Sequence, residues 1–319
     1  MNLSDIKTAA KQLSGKIIHT PVVDLRQTGV FGLLPKDSRV SMKLELLQKA
    51  GSFKARGCYL AMKALTDEQR KTGVIAASGG NHALAVAWAA RDIGVHAKIA
   101  VPRAADAIRL NGCRDLGAEI ILCDDIHQAF DQMQAIAKSE SRTVLHPFES
   151  PFMSLGAATC GLEYHNAVPD LDIAILPVGG GGLISGMAAA FKLMNPNIQV
   201  FGVEPFGADS MYRSFQSGRP EALEKVDSIA DSLSSPTALP YSFGLAHKYV
   251  DSIVRVSDDD LRDAMRIMNA SLKLMPEPAC AASLAGALGP LRQDCIGKKI
   301  GLLACGSNIS LNKFTTLTT

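Results

Sequence analysis

No C-x-x-C pair occurs among the seven cysteines (Cys58, Cys113, Cys123, Cys160, Cys280, Cys295 and Cys305), and their number is odd. This argues against both a zinc knuckle and a disulfide framework, and suits a reducing compartment. Neither sign of charge dominates. Lys and Arg number 33 against 31 Asp and Glu, a net of +2, so no global field draws the chain to nucleic acid or an anionic membrane. No run of about 18 apolar residues occurs, and the start, Met1-Asn2-Leu3-Ser4-Asp5-Ile6-Lys7, lacks an apolar core of signal-peptide length. A cytoplasmic location is expected. Internal repeats and low-complexity tracts are missing as well. What is there, 319 residues that are 47% hydrophobic and 20% charged, is an ordinary globular composition with room for one large domain or two of medium size.

Leu3, Ile6, Ala10 and Leu13 fall at helical spacing, so a short amphipathic helix is expected to open the chain. Residues 17–23 read as an extended segment with Pro21 at its edge. Residues 27–38 read as a loop, Val40–Leu46 as a strand and Phe53–Leu65 as a helix. Thr66-Asp67-Glu68-Gln69 is a capping-box pattern. From Val74 to His146 strands and helices alternate with short turns, which predicts a parallel sheet covered on both faces. The same grammar resumes with strands at 173–178, 199–203, 251–256 and 299–304, and residues 217–247 read as an irregular excursion. The expected class is α/β, with two domains that are each a mostly parallel twisted sheet flanked by helices. Residues 72–148 would form a small domain inserted in a larger one, 1–71 and 149–319. The chain ends some ten residues after its last glycine turn, so no regulatory domain is expected to follow.

Three glycine-rich turns each follow a strand-like run and open a helix-like one. Gly179-Gly180-Gly181-Gly182 lets backbone N–H groups converge at a helix start, which suits a phosphate. Dinucleotide binding and simple tight packing share that signal, although G-x-G-x-x-G is not matched. Ser78-Gly79-Gly80-Asn81-His82 could hold a carboxylate at another helix start, or be a capping turn with a half-buried histidine. Cys305-Gly306-Ser307-Asn308 ends the last strand, where ligand crevices form in parallel sheets; Cys305 could equally be a small buried hydrophobe. Lys54, in Ser52-Phe53-Lys54-Ala55-Arg56-Gly57, is a solvated charge on composition alone, but these turns supply what a cofactor-bearing lysine needs.

Taken together the residues resemble the serine/threonine dehydratase and serine racemase group of pyridoxal-phosphate enzymes, with the tryptophan-synthase β fold (fold type II). Ser52–Gly57 is similar to the group's S-F-K-x-R-G motif. Thr20-Pro21, Ser78–His82, Gly179–Gly182, Val203-Glu204-Pro205, Glu277-Pro278 and Cys305–Asn308 match its landmarks in the same order, so the likeness covers nearly the whole chain.

The resemblance implies roles at matching positions. Lys54 would carry pyridoxal 5'-phosphate covalently and then take the substrate's α-proton, which a dry pocket favours by lowering its pKa. Gly179, Gly180, Gly181 and Gly182 would cradle the phosphate, Asn81 would bond the ring's 3-oxygen, and Phe53 would pack beside the ring. Ser78, Gly79, Gly80 and His82 would surround the substrate carboxylate. Cys305 would face the pyridine nitrogen, where a neutral thiol leaves the ring a weaker electron sink than an aspartate would. That arrangement suits β-elimination of a 2-amino-3-hydroxy acid such as L-threonine or L-serine, giving a 2-oxo acid and ammonia. Relatives are commonly dimers, so a homodimer is expected.

Two departures refine this. Racemases of the group place a serine immediately before G-N-H, as an acid/base on the opposite ring face; here Gly79 has no proton to give, which places dehydration above racemisation. His82 stands where cysteine-synthase relatives carry Thr, which lowers β-replacement. Some relatives also hold a divalent cation with a Glu, a backbone carbonyl and an Asp. Glu204 and Ala208 fit the first two, but the third falls on Ser210, and hard cations favour charged oxygens. No metal is assigned.

Overall fold

A computed structural model describes residues 1–319. In chain order its strands are β1 (Val22–Asp24), β2 (Arg39–Leu44), β3 (Val74–Ala77), β4 (Ala97–Pro102), β5 (Glu119–Cys123), β6 (Thr143–Val144), β7 (Ile173–Pro177), β8 (Gln199–Pro205), β9 (Ser252–Val256) and β10 (Lys299–Ala304). They form two sheets. The larger runs β1-β2-β10-β7-β8-β9 and is parallel apart from the β1 edge; the smaller runs β5-β4-β3-β6 and is wholly parallel. β3, β7 and most of β10 are buried along their length, as expected of parallel strands with helices on both faces.

Strand order reverses once in each sheet. In the smaller sheet it reverses at β3, because β4 and β5 lie on one side and β6 on the other. In the larger one it reverses between β7 and β10. Crevices open beyond the carboxyl ends of strands at such points. The residues that follow β3, β7 and β10 are the three glycine turns, which is how topology gathers them.

Most elements lie within a few residues of their expected bounds, and both Thr66 with Gln69 and Ser257 with Asp260 close capping boxes. Three differences have physical causes. The segment 17–23 is a strand only from Val22, because the Gln48 side chain bonds both the N–H and the carbonyl of Ile18 in place of a sheet neighbour. Helix Pro151–Ala167, the longest in the fold, has no sequence signature of its own. It is buried on nearly every side, against helices Lys54–Lys63 and Gly182–Met194, so no polar stripe marks its period. The excursion 217–247 becomes a helix from Pro240, with proline at the first helical position where its missing N–H costs nothing. Helices Ser210–Ser217 and Leu311–Thr318 are additional. One apolar core lies on the larger sheet; a second joins helix Lys54–Lys63 to Asn81–Ile93 and the smaller sheet.

Candidate active site

Lys54 opens its helix from a loop stitched to the turn after β10. Phe53 N–H donates to the Cys305 carbonyl (3.2 Å), Ser307 N–H to the Gly51 carbonyl (3.0 Å), and Asn308 Nδ2 to the Ala50 carbonyl (2.7 Å). Gly57, one turn along, is required by packing: a Cβ there would lie 2.8 Å from Met153 Cα in the long helix. Beneath the loop Arg56 is fully buried. Its guanidinium grips both oxygens of Glu45 (2.7 Å each) and both of Glu163 (2.7 and 2.8 Å). Lys43 Nζ completes the cluster with Glu163 (2.7 Å) and the Thr20 carbonyl (2.8 Å), and Thr20 Oγ1 donates to Glu45 (2.5 Å). Two cations face two carboxylates, so the charge is closed.

The Lys54 amine donates to the Pro147 carbonyl and lies 5.2 Å from the centre of the Phe53 ring. It looks into a cavity of about 370 Å³ between the two sheets, which Ser78–His82, Gly179–Gly182, Glu277 and Cys305 also line. Burial disfavours the charged form and lowers the amine to about 8, against the opposing pull of Cys58 and Cys305. Across the cavity Gly181 has φ +91°, and a Cβ on Gly180 would lie 2.3 Å from the Phe148 ring. The glycine turn therefore runs close under Phe148 and presents its backbone at the start of helix Gly182–Met194, where unpaired N–H groups favour an anion.

The chain matches the family model described as pyridoxal-phosphate dependent enzyme over residues 13–306. The chain belongs to that family. Among curated relatives, the enzyme is 43% identical to phenylserine dehydratase of Ralstonia pickettii over 98% of its own length and 95% of that protein's. It is 37% identical to L-threonine ammonia-lyase of Thermotoga maritima, over 98% and 77% respectively. Among solved structures, maize serine racemase superposes with a TM-score of 0.91 at 32% identity, covering 99% of this enzyme and 96% of that one.

The cavity fits pyridoxal phosphate on its own chemistry. It holds a buried amine of lowered pKa and a helix-start glycine turn, and a buried oxygen with no hydrogen-bond partner, Glu277 Oε2, lines it. Cys305 is buried, and its thiol is pushed well up by its hydrogen bond with Cys280 and by burial, so it stays neutral.

Two expected site residues are placed differently from the simplest expectation. The His82 ring turns from the cavity into the smaller body, with Nε2 donating to the Leu145 carbonyl (2.8 Å) and Nδ1 beside Cys58 Sγ (3.5 Å). Burial lowers it to about 3, so the ring is neutral and only its backbone can serve an anion. Asn81 is already engaged: Nδ2 donates to Glu277 Oε1 (2.5 Å) and Ser232 Oγ (3.3 Å), and Oδ1 accepts from Asn308 Nδ2 (2.7 Å). Ser78 Oγ accepts the Gly80 N–H (3.1 Å) within its own loop.

Glu277, read from sequence only as a landmark, emerges as a site residue; burial raises its carboxyl to about 7. Arg109, Asp231 and Lys313 at the mouth, the Pro147 carbonyl and the Glu45–Glu163 pair had no sequence signal at all. Glu204 is buried at the end of β8 and accepts N–H bonds from Met211 (3.1 Å) and Tyr212 (2.7 Å), while Ser210 Oγ donates to the Ser235 carbonyl (3.2 Å). No group of three His, Cys, Asp or Glu side chains converges to hold a metal ion there or elsewhere.

Proposed function

We propose that this enzyme is an ammonia-lyase that converts a 2-amino-3-hydroxy acid to a 2-oxo acid and ammonia by β-elimination. Relatives with dehydratase and ammonia-lyase names support the class. Lys54 would hold pyridoxal phosphate, with Gly179–Gly182 at its phosphate, Phe53 beside its ring, Asn81 at the 3-oxygen and Cys305 at the pyridine nitrogen. When bound, that group supplies an electron sink for charge developing at the substrate's α-carbon. Ser78, Gly79, Gly80 and the backbone of His82 would orient the substrate carboxylate. The Lys54 amine, lowered to about 8 by burial and so more readily deprotonated than an ordinary lysine, would take the α-proton. The Cβ–O bond would then break as the hydroxyl takes up a proton, so that the α-hydrogen and the hydroxyl are lost together as water, and the released enamine would take up water to give the 2-oxo acid and ammonia.

The observation that carries elimination over racemisation is Gly79. It has no proton to give, and a Cβ built there would point at Ala105 Cβ (3.0 Å) and Pro102 Cδ (3.4 Å) in the cavity wall. We further propose a small domain, 72–148, inserted in a larger one; seven free, buried cysteines support a reducing, cytoplasmic setting. A homodimer rests on the resemblance alone. The test is to assay ammonia and 2-oxo acid beside the enantiomer ratio of the remaining amino acid. Keto acid that vanishes in Lys54→Ala is expected; D-amino acid without keto acid would refute the lyase.

A further inference from the structure

We propose that the cavity selects substrates whose 3-substituent is an uncharged aromatic ring, and that Ile126, Phe130 and Phe148 are the side chains that select it. This rests on the lyase reading above and adds the identity of the side chain.

Once Lys54, the Ser78–Asn81 loop and the glycine turn are assigned, the wall left for the 3-substituent on the smaller-sheet side is apolar apart from Asp106 and Arg109. Helix Ile126–Ser139 buries Ala129 and Met133 in its own core. Ile126 and Phe130, four residues apart and so on one face, are half-buried, pack against that core and also line the cavity. Phe130 continues through His146 (centroids 5.9 Å apart) to Phe148 (4.7 Å, nearly perpendicular at 85°). Phe148 is itself pinned against Gly180. Phe130 and Phe148 line the cavity and His146 does not, so a flat ring entering it meets two aromatic side chains held in place by the third.

The charges around the cavity are closed among themselves. Arg109 Nε donates to the Asn308 carbonyl (2.7 Å), Nη1 to Asp231 (2.7 Å), and Nη2 lies 3.6 Å from Glu277. Lys313 is also on Asp231 (3.1 Å). Asp106 accepts the N–H groups of Ile108 and Ser310 (3.2 Å each). A second carboxylate on the substrate would meet no cation without an existing partner, so a charged 3-substituent is disfavoured.

The holoenzyme is tested for 2-oxo acid release from 3-phenylserine, L-threonine, L-serine and 3-hydroxyaspartate. Expected is a kcat/KM for 3-phenylserine at least about tenfold above L-serine, with 3-hydroxyaspartate lowest. Phe130→Ala should reduce the phenylserine-to-serine ratio by about tenfold, mostly through KM, and Phe130→Leu by less. Ile126→Arg should raise the hydroxyaspartate-to-phenylserine ratio by a similar factor, a gain that a misfolded variant cannot mimic. Serine or hydroxyaspartate turned over as well as phenylserine, or ratios unmoved by these variants, overturns the selection while leaving the lyase intact. No keto acid from any of the four, with pyridoxal phosphate demonstrably bound, overturns both.

Discussion

Asn81 Nδ2 lies 2.5 Å from Glu277 Oε1, a bond between residues 196 positions apart that ties the first turn of a smaller-sheet helix to the residue capping a larger-sheet one. The same carboxyl leaves Oε2 without a hydrogen-bond partner. A buried acid so placed is costly to ionise, since one amide donor and a guanidinium 3.6 Å away replace a full hydration shell.

Glu277 should therefore make stability pH-dependent. Its carboxyl titrates at about 7 in the folded chain, against about 4.3 for an unperturbed glutamate, so the folded state holds a proton that the unfolded chain has released between those values. Stability falls as pH rises through this window, by on the order of 3 kcal/mol in total from this group. Urea denaturation of the cofactor-free protein at about pH 4.5 and about pH 7.5 should show that fall, and Glu277→Gln should lack this component. Equal slopes in the two proteins would be evidence against a raised value.

Arg56 should be the most stability-critical charge near the site. Arg56→Met strands Glu45 and Glu163 without their shared cation, and loss of one member of a buried ion cluster costs roughly 3–5 kcal/mol. Arg56→Lys should recover only part, because an ammonium cannot serve four carboxylate oxygens in fork geometry. Denaturation midpoints measure both, and a loss under about 1 kcal/mol in the Met variant would mean the cluster is solvated.

Lys54 should react as an amine of unusually low pKa. With its value lowered to about 8 by burial, the neutral fraction grows over a range roughly two units below that of an ordinary lysine at about 10.4. Reductive labelling of the cofactor-free enzyme with pyridoxal phosphate, followed by peptide mapping, should mark Lys54 first, with a pH midpoint near that value. A midpoint like that of surface lysines would show an amine in contact with bulk water.

What the sequence alone determined is local. The order of strands and glycine turns, the capping box at Thr66, and the position of Lys54 all depend on neighbours within a few residues, and the order of motifs pointed to the cofactor class. Tertiary structure decided how the turns meet and what the polar groups do there. Whether the His82 ring faces the cavity or Leu145, whether Glu277 is a landmark or an acid against Asn81, and which carboxylates hold Arg56 all depend on partners that topology supplies from distant parts of the chain. The long helix Pro151–Ala167 escaped sequence reading for the same reason. Being surrounded by other helices it carries no polar face, so the information that shapes it lies in its neighbours.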